Sequence, residues 1–526
     1  MDRYETIRSD YEVMLQRSVQ NAGCDLQKDM ILPDTYGDMK KILATTVKLS
    51  PHADSIESDG VSYSGVLSVT VMFLTEDGEV ASLPVECDYE GRVPMPFGEG
   101  TVRVASFPSV ENPQSRLVNP RKIGIRARIR PNLYVWEDFD TALGYPDSVS
   151  DEDRLTFEER LRRIRYFSAE SYRAEGVESG DDILLDPPRE AIKQFLMGDI
   201  RFSALSTEAR SGAVAVNANA DITLWYTAED DGEESLCTLK HTLPISTLVE
   251  CEAVREGQTV IGEIYCEDIS FSPRENTDGE KRTVECDFTY AVSLLVCRES
   301  EAFVCEDAYS TRYETTLAAS ELSLTETMQK TAASARASLT ISGKEGFLPI
   351  GSQAVLKNCR MESGEAGKAL LCGNAQVYII LERCDKAGFG GETVELPFTV
   401  SLGVPYESES EYLVLPSLNS VDVKASGGEL SVSLALSCSV ASFRTKREAY
   451  VNEILPTALC EQRESGAFTV YYPREMESAW EIAKKYRVRE DDLIFAGSEE
   501  FRAGISRRCV MIPPQKDAAY RKVIAP

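Results

Sequence analysis

Apolar and polar residues alternate with period two over long stretches of this chain, the spacing of an antiparallel strand with one face on a core. Ile123, Ile125, Ala127 and Ile129 fall on one side of such a stretch, with Lys122, Arg126, Arg128 and Arg130 on the other. Val284, Cys286, Phe288, Tyr290 and Val292 repeat the pattern, as do Leu430, Val432, Leu434, Leu436, Cys438 and Val440. Upstream of each lies a shorter strand–turn–strand. Val69-Thr70-Val71-Met72-Phe73 precedes Glu76-Asp77-Gly78-Glu79, and Ile222-Thr223-Leu224-Trp225-Tyr226 precedes Asp230-Asp231-Gly232-Glu233. Val377-Tyr378-Ile379-Ile380-Leu381 precedes Lys386-Ala387-Gly388-Phe389-Gly390-Gly391. Each reads as a hairpin. The copies begin at 69, 222 and 377, spacings of 153 and 155 residues. The chain is therefore predicted to be mainly β, with three tandem antiparallel, sandwich-like units at 1–150, 151–315 and 316–462, followed by a small module at 463–526.

Helical spacing is scarce. Phe157, Leu161, Ile164 and Phe167 recur every three to four residues, which predicts a linker helix over Asp153 to Ser171 lying on a sheet edge. Met328 to Ser338 is a second candidate. In the last module an apolar strand carries Phe468, Val470 and Tyr472. Ala479, Ile482, Ala483 and Tyr486 then share one helical face, with Trp480 at its edge. Val488, an acidic helix start at Glu490-Asp491-Asp492-Leu493, and a strand Cys509-Val510-Met511-Ile512 stopped by Pro513-Pro514 complete a β-α-α-β order.

Composition narrows the function. The 526 residues carry a net charge of −30, which argues against nucleic acid and against an anionic membrane surface. The charge suits a protein partner with a basic or apolar patch, or serves solubility alone. No apolar stretch approaches the ~20 residues of a membrane span, and no basic segment followed by an apolar run opens the sequence. The fourteen cysteines are irregularly spaced without a Cys-x-x-Cys pair, and several, including Cys286, Cys372 and Cys438, sit at apolar strand positions. They read as reduced core thiols of a cytoplasmic protein.

Catalytic residues do not emerge. The two histidines, His52 in a turn and His241 between hairpin residues, have no Gly-x-Ser-x-Gly elbow beside them. Gly388-Phe389-Gly390-Gly391 joins two strands with no following helix to hold a phosphate, and Asp230-Asp231-Gly232-Glu233-Glu234 lacks the ligand spacing of a calcium loop. A non-enzymatic chain without cofactor or metal is expected. The basic strand face of the first unit reads as a solvated outer face, with a partner site as the alternative.

Two families are suggested by particular residues. Trp480-x-Ile482-Ala483-x-x-Tyr486-x-Val488 within its β-α-α-β frame resembles the LysM family. Family members that hold N-acetylglucosamine chains carry Gly-Asp-Thr-Leu where this chain has Met476-Glu477-Ser478-Ala479. Their Asn-Pro-rich loop and Gly-Gln-x-Leu lead-in are replaced by Gly497-Ser498-Glu499-Glu500 and Ile505-Ser506-Arg507-Arg508. The resemblance thus implies a LysM fold used for protein contact, with Met476, Glu477, Ser478, Trp480, Glu499 and Phe501 as partner-binding residues. Peptidoglycan binding is the alternative. In the first unit, Ile31-Leu32-Pro33-Asp34, Met39-Lys40-Lys41-Ile42-Leu43 and Val61-x-Tyr63-x-Gly65-x-Leu67 resemble the SPOCS domain of sporulation proteins. Gly373 matches Gly65 in the third unit; the second departs, with Ala218 or Asn219 there, although Cys305-Glu306-Asp307-Ala308-Tyr309-Ser310 resembles the family's closing segment. Repeats followed by LysM are similar to the clostridial morphogenetic proteins that interact with stage IV sporulation protein A, the spore-coat ATPase. That resemblance implies a mother-cell scaffold recruited to the forespore surface.

Overall fold

Alternating apolar positions become antiparallel sheet almost throughout. The computed structural model describes residues 23–95, 97, 100–186, 189–230, 233–384, 388–460, 468–474, 476–495 and 509–514, and the backbone alone at 12–19, 52, 53, 230, 233, 234 and 495. The first unit holds β1 (Glu12–Val19), β2 (Cys24–Ile31), β3 (Met39–Glu57), β4 (Gly60–Thr75), β5 (Val80–Pro94), β6 (Val102–Ser106), β7 (Ser109–Asn119), β8 (Lys122–Arg130) and β9 (Leu133–Asp140). A one-turn helix α1 (Asp151–Arg154), capped by the Ser150 hydroxyl, leads into the second unit. That unit comprises β10 (Phe157–Leu184), β11 (Gln194–Arg210), β12 (Ala213–Asp230), β13 (Glu233–Glu250), β14 (Thr259–Glu275) and β15 (Lys281–Ser310). The third comprises β16 (Tyr313–Ile341), β17 (Phe347–Ser363), β18 (Lys368–Arg383), β19 (Phe389–Pro405), β20 (Ser410–Ser426) and β21 (Glu429–Leu459). The C-terminal module follows with β22 (Thr469–Tyr471), α2 (Ala479–Tyr486), a 3₁₀ turn at Glu490–Asp492, β23 (Ile494–Phe495) and β24 (Val510–Ile512).

One strand order serves all three units. In the second, β10-β15-β14 forms one sheet and β11-β12-β13 the other; the third repeats it as β16-β21-β20 and β17-β18-β19. In the first, β3-β4-β5 is intact and its companion sheet is cut into β2-β8-β7 and β1-β9-β6. The cut falls where Pro108 and Pro131 remove ladder donors. Asn132 turns there with φ 44°, and its amide nitrogen donates to Phe107 O at 2.8 Å. The three hairpins are thus equivalent, and Val71, Leu224 and Ile379 each lie on the middle strand of the second sheet. The alternating faces read from sequence are inside: Ile123, Ile125, Ala127 and Ile129, Val284 through Val292, and Leu430 through Val440 are all buried.

Three expectations are overturned. Asp153 to Ser171 is not a helix beyond α1 but the start of β10. Its apolar residues appear at helical spacing because both faces of this strand are covered: Ile164, Tyr166 and Ala169 are buried in a core shared with neighbouring units, with Phe167 packed against it, while Phe157 belongs to another cluster. Met328 to Ser338 is also strand, within β16, where Ala333, Ala335 and Ala337 turn to the core and Ser334, Arg336 and Ser338 to water. The alanines recur at a spacing of two, that of a strand. His52 lies inside β3 at a register shift between Pro51 and Ala53, not in a turn.

The units are not beads on a string. Tyr134 and Trp136 of the first, Leu295 and Val304 of the second, and Leu324 and Phe443 of the third share one core. Leu43 and Met72, Leu196 and Trp225, and Tyr378 and Ile380 share another. Hydrogen bonds stitch every seam. Ser82 donates to Leu196 O at 2.6 Å, Thr238 to Ile350 O at 2.8 Å and Lys41 to Gly391 O at 2.5 Å. Gly351 is required at one seam: a Cβ there would lie 2.3 Å from Trp225 Cη2.

Candidate interaction site

The C-terminal module is built around α2. Ser478 caps the helix: its hydroxyl accepts from Glu481 N at 3.2 Å, while the Glu481 carboxylate accepts from Ser478 N at 2.7 Å. This reciprocal box holds the Glu481 carboxyl below the usual range. Ala479, Ile482 and Ala483 are buried against Val488, Leu493, Val510 and Ile512, with Tyr486 partly buried, as the helical spacing predicts. Arg487 ends the helix in the left-handed region at φ 55°. Thr469, Tyr471 and their neighbours on β24 and β23 form a three-stranded sheet in the order β22-β24-β23. The second helix is represented by the 3₁₀ turn alone among the described residues.

Trp480 is placed differently from the sequence expectation. Expected at the edge of the helical face and among the partner-binding residues, it is 6% exposed and packed on the end of β15. Its indole Nε1 donates to Asp307 Oδ2 at 2.8 Å, and its ring meets Tyr309 edge-on, 4.9 Å between centroids at 69°. Lys484 Nζ donates to Asp307 Oδ1 at 2.5 Å, and the Tyr309 hydroxyl donates to Val488 O at 2.7 Å. Two further ion pairs, Arg487–Glu314 at 3.1 Å and Arg489–Glu158 at 3.0 Å, bind the module to the starts of β16 and β10. Burial pushes the Tyr309 hydroxyl well above its ordinary pKa, so it stays a donor. The proposed closing segment of the second unit is therefore a socket for the module.

Of the other expected partner residues, Met476 is 86% exposed at φ 69°. Glu477 is engaged inside the loop, accepting from the Tyr471 hydroxyl at 2.8 Å and from Arg474 N at 2.9 Å. Ser478 is occupied by the cap. Glu499 and Phe501 lie outside the described residues.

A family described as SipL, SPOCS domain, matches residues 191–274, which take in nearly all of β11 through β14. No curated protein matches the chain, and no solved structure does. The match suggests a sporulation-related role.

The match lies in the second unit, where the glycine motif departs, and the packing explains the departure. Gly65 is paired with Tyr89 and Gly373 with Phe398 across their hairpins. A Cβ on Gly65 would lie 2.4 Å from the Tyr89 hydroxyl, and one on Gly373 2.6 Å from Phe398 Cζ. The equivalent of both in the second unit is Ala218, paired with Ile245. Paired across the hairpin with Ile245 and not with an aromatic residue, this position holds a methyl group.

The other groups weighed in the sequence lie on strand faces and in hairpin loops. His241 Nε2 lies 2.8 Å from Asp181 Oδ2 on a strand face. Gly388 stands in the β18–β19 hairpin loop. On the basic face of β8, three side chains pair across strands, Lys122 with Asp29 at 2.8 Å, Arg128 with Asp25 at 3.4 Å and Arg130 with Glu111 at 2.6 Å. The fourteen cysteines are free thiols; burial pushes Cys286, Cys297 and Cys305 up to about 12. Among the described residues no group of three or more His, Cys, Asp or Glu side chains could hold a metal, and no helix is long and apolar enough to cross a membrane.

Proposed function

We propose that the chain is a non-enzymatic scaffold or adaptor in spore-coat morphogenesis. Three SPOCS-like units, 1–150, 151–315 and 316–462, form its body, and a LysM-like module at 463–526 contributes partner contacts, including the loop that presents Met476. The observation that carries this reading is the SPOCS match at 191–274, on a strand order that recurs in all three units. The partner it favours, from the resemblance of the repeat–LysM pairing, is stage IV sporulation protein A, with the chain acting in the mother-cell cytoplasm and recruited to the forespore surface. Affinity capture from sporulating cells tests it. The whole chain should retain stage IV sporulation protein A and residues 1–462 should retain less. Equal capture by both would remove the module from the contact, and saturable binding of the whole chain to chitin oligomers with none to that ATPase would overturn the reading in favour of glycan.

A further inference from the structure

The small sheet of the C-terminal module is apolar on both faces. Its inner face sets Val510 and Ile512, both buried, against α2. On the outer face Val470 and Ile494 are each paired with Met511 of the central strand β24. Directly opposed residues of an antiparallel sheet share a face, so these three form one row across it. Phe468 and Tyr472, each two residues from Val470, project to the same side. Phe468, Val470, Tyr472 and Ile494 are 54%, 53%, 69% and 44% exposed. An antiparallel sheet with water on one side ordinarily alternates apolar inward and polar outward. Here the outward set contains no charge. Because it lies across the sheet from α2, it is separate from both the Trp480 socket and the helix-capping loop.

We propose that this outer sheet face is a protein-docking surface, and that its occupant is an apolar strip flanked by lysine and arginine on another protein. The proposal rests on the adaptor reading and adds to it the face that makes contact. Charge selects the occupant. Residues 463–526 are nearly balanced, with twelve basic and ten acidic side chains, whereas residues 1–462 carry forty-four and seventy-six. An apolar strip alone would bind without regard to partner. Beside an acidic body, basic flanks are drawn in, while a second copy brings an equally acidic body against its own charge.

Val470→Ser combined with Ile494→Ser in the full chain tests the face, since both positions are exposed and the melting temperature and tryptophan emission should not move. Two probes are titrated at physiological salt: purified stage IV sporulation protein A, and a short amphipathic helix of leucine and lysine. Weakening of both by about tenfold or more in the variant supports the proposal. If the leucine–lysine helix is weakened by the variant while stage IV sporulation protein A fails to bind even the unmodified chain, the docking face stands and the partner named for the adaptor falls. Equal binding of variant and unmodified chain to both probes overturns the face. A dimer in sedimentation that disappears in the variant overturns the basic partner in favour of a second copy.

Discussion

Asp307 holds the C-terminal module without belonging to it, so Asp307→Ala separates docking from the module's own folding. The substitution removes the acceptor of the Trp480 indole, now 2.8 Å away, and the partner of Lys484. A buried donor left unpaired costs about 1–3 kcal/mol. The Lys484 pair is worth less, about 0.5 kcal/mol, because that side chain is 41% exposed and screened by solvent. The Tyr309 ring contact and the two arginine pairs remain. The loss comes to roughly 2 kcal/mol, a shift of about thirtyfold in the docking equilibrium. Tryptophan fluorescence reads it directly. Trp136 and Trp225 are 2% and 0% exposed in the body, so a gain in acrylamide quenching reports Trp480. Quenching should rise in Asp307→Ala and rise further with salt, which screens Arg487–Glu314 and Arg489–Glu158. Asp307→Asn should fall between, since its amide oxygen still accepts from the indole. If Asp307→Ala quenches no more than the unmodified chain at any salt, the socket does not hold the module.

Four other outcomes follow from the packing. Ile482→Asp places a carboxylate at a fully buried position of α2, costing several kcal/mol; calorimetry should show the module's transition lost and the body's retained. Gly351→Ala forces a methyl group against Trp225 and should cost about 1–3 kcal/mol, read as a lower melting temperature. An unchanged midpoint would mean that the seam is looser than its contacts show. Burial pushes the Glu263 carboxyl up to about 8, so the folded chain keeps a proton that the unfolded chain has released. Stability should therefore fall as pH rises from the ordinary carboxylate range to about 8, and Glu263→Gln should flatten that fall. Alkylation of the native chain should reach exposed Cys384 first and spare Cys286, Cys297 and Cys305, with all fourteen thiols labelled after denaturation.

The β architecture was legible wherever one strand face meets a core and the other meets water, as along Lys122–Arg130. It failed where that condition failed. β10 is covered on both faces near Ile164 and Phe167, so its apolar residues lose period two and mimic a helix. The helix register of the last module was legible because α2 has one apolar face. The role of Trp480 was not, because its partner lies 173 residues away. The shared cores were hidden for the same reason: nothing local marks Trp225 as the neighbour of Gly351.

The repeated fold leaves open why the module meets the second unit and not the third, which immediately precedes it in the chain. Strand register answers this. Tyr309 pairs with Glu158, the second residue of β10, and Asp307 pairs with Arg160, the fourth. In the third unit the second and fourth residues of β16, Glu314 and Thr316, pair with Ala458 and Leu455. The same backbone position there offers neither a ring for Trp480 nor a carboxylate for its N–H and for Lys484. Seated on that end, the indole donor would be buried unpaired, a cost the second unit's end removes. Glu314 still contributes from the third unit, through Arg487. The second and third units thus share a topology but differ at this end, and the choice between them resides in two side chains that the shared fold does not require.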